Sequence, residues 1–290
     1  MVTTTGDASL TPSMRRLLYV AAVLVFLAGL QLFVFPLRTA DWFAWTIDPP
    51  MTAVFLGAAY WSSAVLEVAG ARSARWSRAR LSVWTVFVFT TLTLAVTLLH
   101  LDRFHLSAEH PLGARVVTWC WLAIYVVVPM AMLVIARLQT RPRRAPRTSE
   151  AAARALPVGL RLLLVALAVV LLLAGVALLA VPARAAELWP WALTELTGRA
   201  VGAWLVGLGW AGAHALLGGD GRTVRPLGLT ALAFVLLQAV ALLRHGGDLT
   251  WAGPAFGYLV VLLTIGFAGL WMLALDRAKR PRPAGREPQD

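Results

Sequence analysis

Eight long apolar runs constrain this chain more than any other feature of its sequence. A bilayer core is about 30 Å thick, so a helix rising about 1.5 Å per residue needs about 20 apolar residues to cross it. The eight runs come close to that length: 17–35, 51–68, 81–99, 116–136, 162–181, 200–217, 227–243 and 254–275. They lack the two-residue alternation of a membrane β-strand, so they predict helices.

The fifth run, 162–181, gives the strongest of these signals. It holds fourteen Leu and Val residues and no charge, and at about −0.3 to −0.6 kcal/mol each they favour insertion by about −4 to −8 kcal/mol. The whole chain is 59% hydrophobic and 14% charged, whereas charged residues approach about a quarter of a soluble domain. We therefore expect an all-α polytopic membrane bundle with eight transmembrane helices.

The basic residues predict the orientation of the bundle. With an even number of spans, twenty of the 26 Lys and Arg residues fall on the side of the two termini and six on the opposite side. Because basic loops stay in the cytoplasm, we expect both termini of this membrane protein to be cytoplasmic. The net charge of +12 thus reflects topology: the expected partner is the lipid bilayer, no nucleic acid is expected, and protein partners stay unknown.

The two halves of the chain resemble each other. A shift of 146 residues aligns residues 15–45 with 161–191 without a gap, and 13 of the 31 positions are identical. The predicted division is a first four-span repeat (1–140), a basic cytoplasmic linker (141–156), a second four-span repeat (157–275) and a basic cytoplasmic tail (276–290). Because each repeat has an even number of spans, the two copies should be parallel.

The outer connections repeat a pattern of arginine, acid and tryptophan. The favoured interpretation is a short interfacial helix with an Arg–acid pair at i, i+3 and tryptophans at the lipid headgroups. The alternative is an outer-face ligand site built from both copies. The matched residues are Arg38, Asp41 and Trp45 in the first half and Arg184, Glu187 and Trp191 in the second.

A histidine-rich stretch follows the third span, in TLLHLDRFH and the residues after it. Imidazole and carboxylate are common ligands of zinc and other transition metals, so one hypothesis is an outer-face metal or haem site. The alternative, which we favour, is a set of interfacial anchors without metal, and the cofactor therefore stays unknown. The candidate ligands are His100, Asp102, His105, Glu109 and His110.

Glu67 and His214 are the ionisable residues expected inside the spans. The repeat places them two positions apart near the inner ends of the second and sixth helices, so they could face each other as a proton relay or solute contact. The alternative is that Glu67, five residues before Arg72, reaches the interface. In the sixth span, Gly198 and Gly202 form a GxxxG pair, which favours helix packing within the chain over a homodimer.

Two segments carry a resemblance to known sequences. At FAWTIDPPMTAVFLGAAYW and TLLHLDRFH the chain resembles multi-pass membrane proteins of high-GC bacteria with no known activity. The resemblance implies an integral membrane location and transfers no residue role. The 25 arginines beside a single lysine fit a high-GC coding bias, so the expected location is the bacterial plasma membrane.

Few enzymatic signals accompany this architecture. The chain has one cysteine, Cys120, and lacks P-loop, GxSxG, HExxH and CxxCH motifs, so catalysis is not expected. The expected function is that of an integral plasma-membrane protein of unassigned biochemistry. Three alternatives stay open: a small-solute permease or binding protein with a site between the repeats, the metal or haem protein, and an accessory subunit of a membrane complex.

Overall fold

A computed structural model describes residues 8–139, 156–218 and 224–277 of the 290. The regular secondary structure of these ranges is helical. Eight helices are long: α1 (Pro12–Val34), α3 (Pro50–Ala71), α4 (Trp76–Leu99), α5 (Leu112–Gln139), α6 (Val158–Ala180), α8 (Glu195–Gly218), α9 (Val224–His245) and α10 (Gly253–Arg277). Two are short: α2 (Thr39–Trp42) and α7 (Pro182–Ala186).

All eight long helices are long and apolar enough to cross a membrane. The expected all-helical fold with eight spans is therefore confirmed. Each helix starts one to five residues before its apolar run, because polar first turns also belong to the helices. At the start of α1, for example, the Thr11 side chain accepts a hydrogen bond from the Met14 amide and caps the helix. The predicted linker 141–156 and tail 276–290 lie almost wholly outside the described residues.

Helix α3 lies at the centre of the bundle. In its most apolar stretch 67% of the residues are buried, against 22% for α10. The most extensive packing joins α1 to α3 and α6 to α8, and two further large contacts, α3 with α9 and α4 with α8, join the two halves. Large apolar side chains such as Leu263 and Leu270 of α10 face outward. Outward apolar surface on spanning helices is suited to lipid as the solvent.

Glycines permit the closest helix contacts. A Cβ atom added to Gly175 of α6 would lie 2.8 Å from the carbonyl oxygen of Gly202 and the amide nitrogen of Val206, both in α8. In the first half, Gly29 of α1 packs directly against the indole of Trp61 in α3. The predicted packing of the small-residue face of α8 within the chain is confirmed, because α6 covers it.

Four connections meet at one end of the bundle, which we call the loop end: residues 35–49, 100–111, 181–194 and 246–252. The predicted i, i+3 pair is present in the first half, where Arg38 Nη1 lies 3.5 Å from Asp41 Oδ2 and both side chains are exposed. Arg184 and Glu187 are also exposed, but no ion pair joins them in the described parts of the chain.

Trp45 and Trp191 do not lie where a headgroup anchor would. They are 3% and 2% exposed, and each packs among other aromatic rings. The expectation of interfacial anchoring is wrong for this pair, because the connections fold inward over the helix ends and bury the indoles. Trp42, 46% exposed, is the tryptophan of the first connection that stays at the surface.

Matched hydrogen bonds tie the loop-end connections together within each half. The His105 amide donates to the Ala44 carbonyl at 2.9 Å, and the Thr250 amide donates to the Pro190 carbonyl at 2.8 Å. Ala44 and Pro190 are 146 residues apart, the shift that aligns the halves, and His105 and Thr250 are 145 apart. The two bonds therefore recur at nearly the same spacing along the chain.

Candidate functional site

A small cavity lies where α3, α4, α8 and α9 meet, so both halves of the chain line it. Its volume open to water is about 30 Å³. A buried water needs about 10–15 Å³ on this measure, so the space holds about two. Polar oxygens come from Ser62, Ser63, Glu67, Thr85 and Thr230, and the remaining walls are mainly apolar.

Glu67 is the charged residue of this cavity and is 2% exposed. Its Oε1 atom accepts a long hydrogen bond, 3.4 Å, from the Ser63 hydroxyl. Its Oε2 atom is buried and has no hydrogen-bond partner. Within the described residues no cationic side chain pairs with the carboxylate. The alternative in which Glu67 reaches the interface is not supported by this burial.

A second cavity, with a volume open to water of about 60 Å³, also has Glu67 in its lining. Tyr60 and Tyr125 line it, and their hydroxyl oxygens are 2.6 Å apart. Thr85 adds to the unsatisfied polar atoms of the first cavity, because its buried Oγ1 also has no partner. Glu67 thus lines two spaces that can hold water.

This arrangement favours the binding of a small cation. A buried carboxylate without a partner is costly in a low-dielectric interior, and a proton or small metal cation removes that cost. Hydroxyl and carboxylate oxygens are the ligands that hard cations prefer. The cavity is too small for an organic solute, so its chemistry is limited to water, a proton or an inorganic ion.

His214 does not line this cavity. The wall supplied by α8 consists of Trp204, Gly207, Leu208 and Ala211, so His214 lies a turn beyond it along the same helix. Its ring is 6.0 Å from the ring of Trp210. The described residues include no hydrogen bond between Glu67 and His214, and the hypothesis of a facing pair gains no support.

The histidines after α4 are divided among different contacts. His105 is buried, its Nδ1 atom donates to the Phe43 carbonyl at 2.9 Å, and its Nε2 atom lies 3.0 Å from the Thr46 hydroxyl. Both ring nitrogens are therefore occupied. His110 stacks on His105 with ring centroids 4.3 Å apart. His100 Nε2 instead accepts a 2.8 Å bond from Arg199 of the other half.

These contacts do not form a metal centre. In the ranges that the structure describes, no three His, Cys, Asp or Glu residues are placed to hold one ion. Asp102 turns to its neighbour Arg103, at 3.0 Å. The geometry therefore favours the structural interpretation of His100, Asp102, His105 and His110 over the metal hypothesis.

Several residues of interest gave little signal in the sequence. The sequence gives no sign that Tyr60 and Tyr125 interact, because 65 positions separate them. No local pattern singles out Asp248 or Arg199, yet Asp248 Oδ2 accepts from the Met51 amide at 2.9 Å and Arg199 donates to His100 at 2.8 Å. Contacts that cross between the halves have no local sequence pattern, so only the tertiary structure identifies them.

Comparison with known proteins adds no assignment: no protein-family model, no curated protein and no solved structure matches the chain.

Proposed function

We propose that this chain is an ion-binding permease of the bacterial plasma membrane, in which Glu67 exchanges a proton or a small inorganic cation between the two cavities beside it. The observation that carries the proposal is the buried, unpartnered Oε2 atom of Glu67 in a cavity lined by both halves. Eight apolar helices make the chain an integral membrane protein. Charged groups at such depth are kept for ion and solute pathways.

The proposal includes two parallel four-helix repeats. Support comes from the packing partners, because α1 with α3 corresponds to α6 with α8, and α3 with α9 corresponds to α8 with α4. The residues that follow α1 and α6 also share a backbone conformation, with φ and ψ of −118° and 48° at Phe35 and −134° and 59° at Val181. A site between parallel repeats is a recurring arrangement in transporters.

Dicyclohexylcarbodiimide provides the direct test, since it modifies protonated carboxyl groups in apolar surroundings. We expect the purified chain to be labelled at Glu67, with less labelling as the pH or the sodium concentration rises. Peptide mass spectrometry gives the position. Asp41, which is exposed at the loop end, is the matched carboxyl that should stay unlabelled.

Two results would count against the cation site. One is a Glu67 that stays unlabelled at every pH, and the other is labelling that neither pH nor sodium changes.

Transport measurements in proteoliposomes distinguish ion exchange across the membrane from static ion binding. A potassium diffusion potential should drive proton or sodium entry, and Glu67→Gln should reduce that entry by about tenfold or more, as expected for loss of the one charged ligand.

A further inference from the structure

A larger cleft lies at the loop end, away from the Glu67 cavity. Its volume is about 480 Å³, within the range of about 300–1,000 Å³ that is typical for small-molecule sites. Both halves contribute to it, because the end of α4 and its connection face the start of α8. The lining residues are Trp45, Thr46, His100, Asp102, Arg103, Thr194, Glu195 and Leu196.

The corresponding junction on the other side of the bundle is closed by a side chain. There the start of α3 faces the connection after α9. Asp248 Oδ2 accepts a hydrogen bond from the amide of Met51, the second residue of α3, at 2.9 Å. Trp191 Nε1 donates to the Thr52 hydroxyl, also at 2.9 Å. The Asp248 carboxylate thus satisfies the amide at this helix end, and the Thr52 hydroxyl satisfies the Trp191 indole.

The cleft lacks both of these partners. His105 and Thr250 make the two matched backbone bonds of the loop end. The residues two positions before them are Arg103 and Asp248, so the cleft has a cationic side chain where the closed junction has a carboxylate. The second residue of α8 is Leu196, and no described side chain accepts a hydrogen bond from its amide. Trp45, the counterpart of Trp191, is 3% exposed, and its buried Nε1 atom has no partner.

Each acid that lines the cleft has a guanidinium beside it. Asp102 lies 3.0 Å from Arg103 and Glu195 lies 3.1 Å from Arg199. Burial, together with the guanidinium of Arg199, lowers the pKa of His100. That ring is therefore neutral at pH 7, which agrees with its Nε2 atom accepting from Arg199. Thr194 Oγ1 accepts from the Thr197 amide at the start of α8, so the donors left without a side-chain acceptor here are the Leu196 amide and Trp45 Nε1, near the positive end of the α8 dipole.

We propose that this cleft binds the carboxylate group of a small organic solute, which occupies the place that Asp248 holds at the other junction. The solute carboxylate accepts from the Leu196 amide and from Trp45 Nε1, and it shares the Arg103 guanidinium with Asp102. The rest of the solute fills the remaining volume beside Thr46 and Thr194. This binding does not depend on cation exchange at Glu67, although it would give the proposed permease its solute class.

Binding is tested with three probes that share a carbon skeleton: propionate, propylamine and propanol. Saturation-transfer NMR on the full chain in detergent should show binding of propionate alone. Trp45→Phe removes one donor to a charged group and should weaken propionate binding by about tenfold or more. Trp191→Phe is the matched control at the closed junction, and it should leave propionate affinity unchanged.

Arg103→Asp gives a second, opposite test. It recreates at the cleft the carboxylate found at position 248, so the variant should fold at least as stably and lose propionate binding. The proposal fails if propylamine or propanol binds as well as propionate, or if phosphate binds in preference. It also fails if Trp45→Phe and Arg103→Asp both retain the affinity of the unchanged chain. Carbodiimide labelling of Glu67 in the same samples reports the cation site separately.

Discussion

Polar side chains inside the bundle fall into two groups: those that are hydrogen-bonded, and those with a buried atom that has no partner, among them Glu67 and Thr85. Gln238 represents the first group, because its amide donates to the Phe55 carbonyl and its oxygen accepts from the Tyr258 hydroxyl. These bonds join α9 to α3 and α10. The Glu67 carboxylate loses its hydration on burial and gains only one long hydrogen bond in its place. Such a residue is typically kept for binding rather than for stability.

Substitution should separate these two groups. Glu67→Met preserves volume and removes an unsatisfied carboxylate, so we expect the thermal stability in detergent to be unchanged or higher. Gln238→Leu leaves the Phe55 carbonyl and the Tyr258 hydroxyl unpaired and should destabilise the fold by about 1–3 kcal/mol. Thermal unfolding of the two variants beside the unchanged chain measures the contrast. A Glu67→Met variant as unstable as Gln238→Leu would assign Glu67 a structural role.

His105 makes the loop end sensitive to acid. Burial lowers the pKa of His105, and the adjacent His110 lowers it further, while the Phe43 carbonyl and Asp41 act in the opposite direction. The unfolded chain, with a histidine pKa of about 6.5, therefore binds the proton more readily than the folded chain. Stability is retained above about pH 6.5 and lost as the pH falls below it.

The expected result is a melting temperature in detergent that decreases between pH 7.5 and about pH 5. His105→Gln keeps a donor and an acceptor but removes the titration, so its melting temperature should depend less on pH. Equal slopes for the two proteins would show that other groups cause the acid sensitivity.

At the scale of whole helices, close contact depends on glycine at a few positions. Gly175→Ala places a methyl group 2.8 Å from the Gly202 carbonyl oxygen, and neither backbone can yield without moving α6 from α8. We expect destabilisation of about 1–3 kcal/mol, the usual cost of overpacking. Gly257→Ala in α10 is the control, since nothing lies within 4 Å of its Cβ position. Thermal unfolding in detergent should leave this control unchanged or slightly stabilised.

For the whole molecule, the orientation predicted from arginine can be measured with cysteine. In a Cys120→Ala background, Ser107→Cys lies in an exposed loop-end position and Ala74→Cys is exposed at the opposite end. A membrane-impermeant maleimide applied to intact cells should label Ser107→Cys and spare Ala74→Cys until the cells are opened. The reverse pattern would overturn the cytoplasmic assignment of the termini.

The sequence predicted the helices well and the candidate site only in part. Apolar length identified all eight spans, and Glu67 was recognised because charge is rare in such segments. Its expected partner, His214, follows from the alignment of the halves, which cannot tell which face of α8 meets the cavity. Trp45 was expected at the lipid headgroups, because a local pattern does not reveal that a connection folds back over the helix ends.

By itself the sequence determined the number, type and approximate bounds of the membrane helices, because the match between apolar length and bilayer thickness is a local property. The tertiary structure alone decided which polar groups meet across the halves. It left Glu67 Oε2 and Trp45 Nε1 without partners while Asp248 and Thr52 closed the opposite junction. Such pairings depend on helix rotation and on contacts between residues more than a hundred positions apart, which no local pattern encodes.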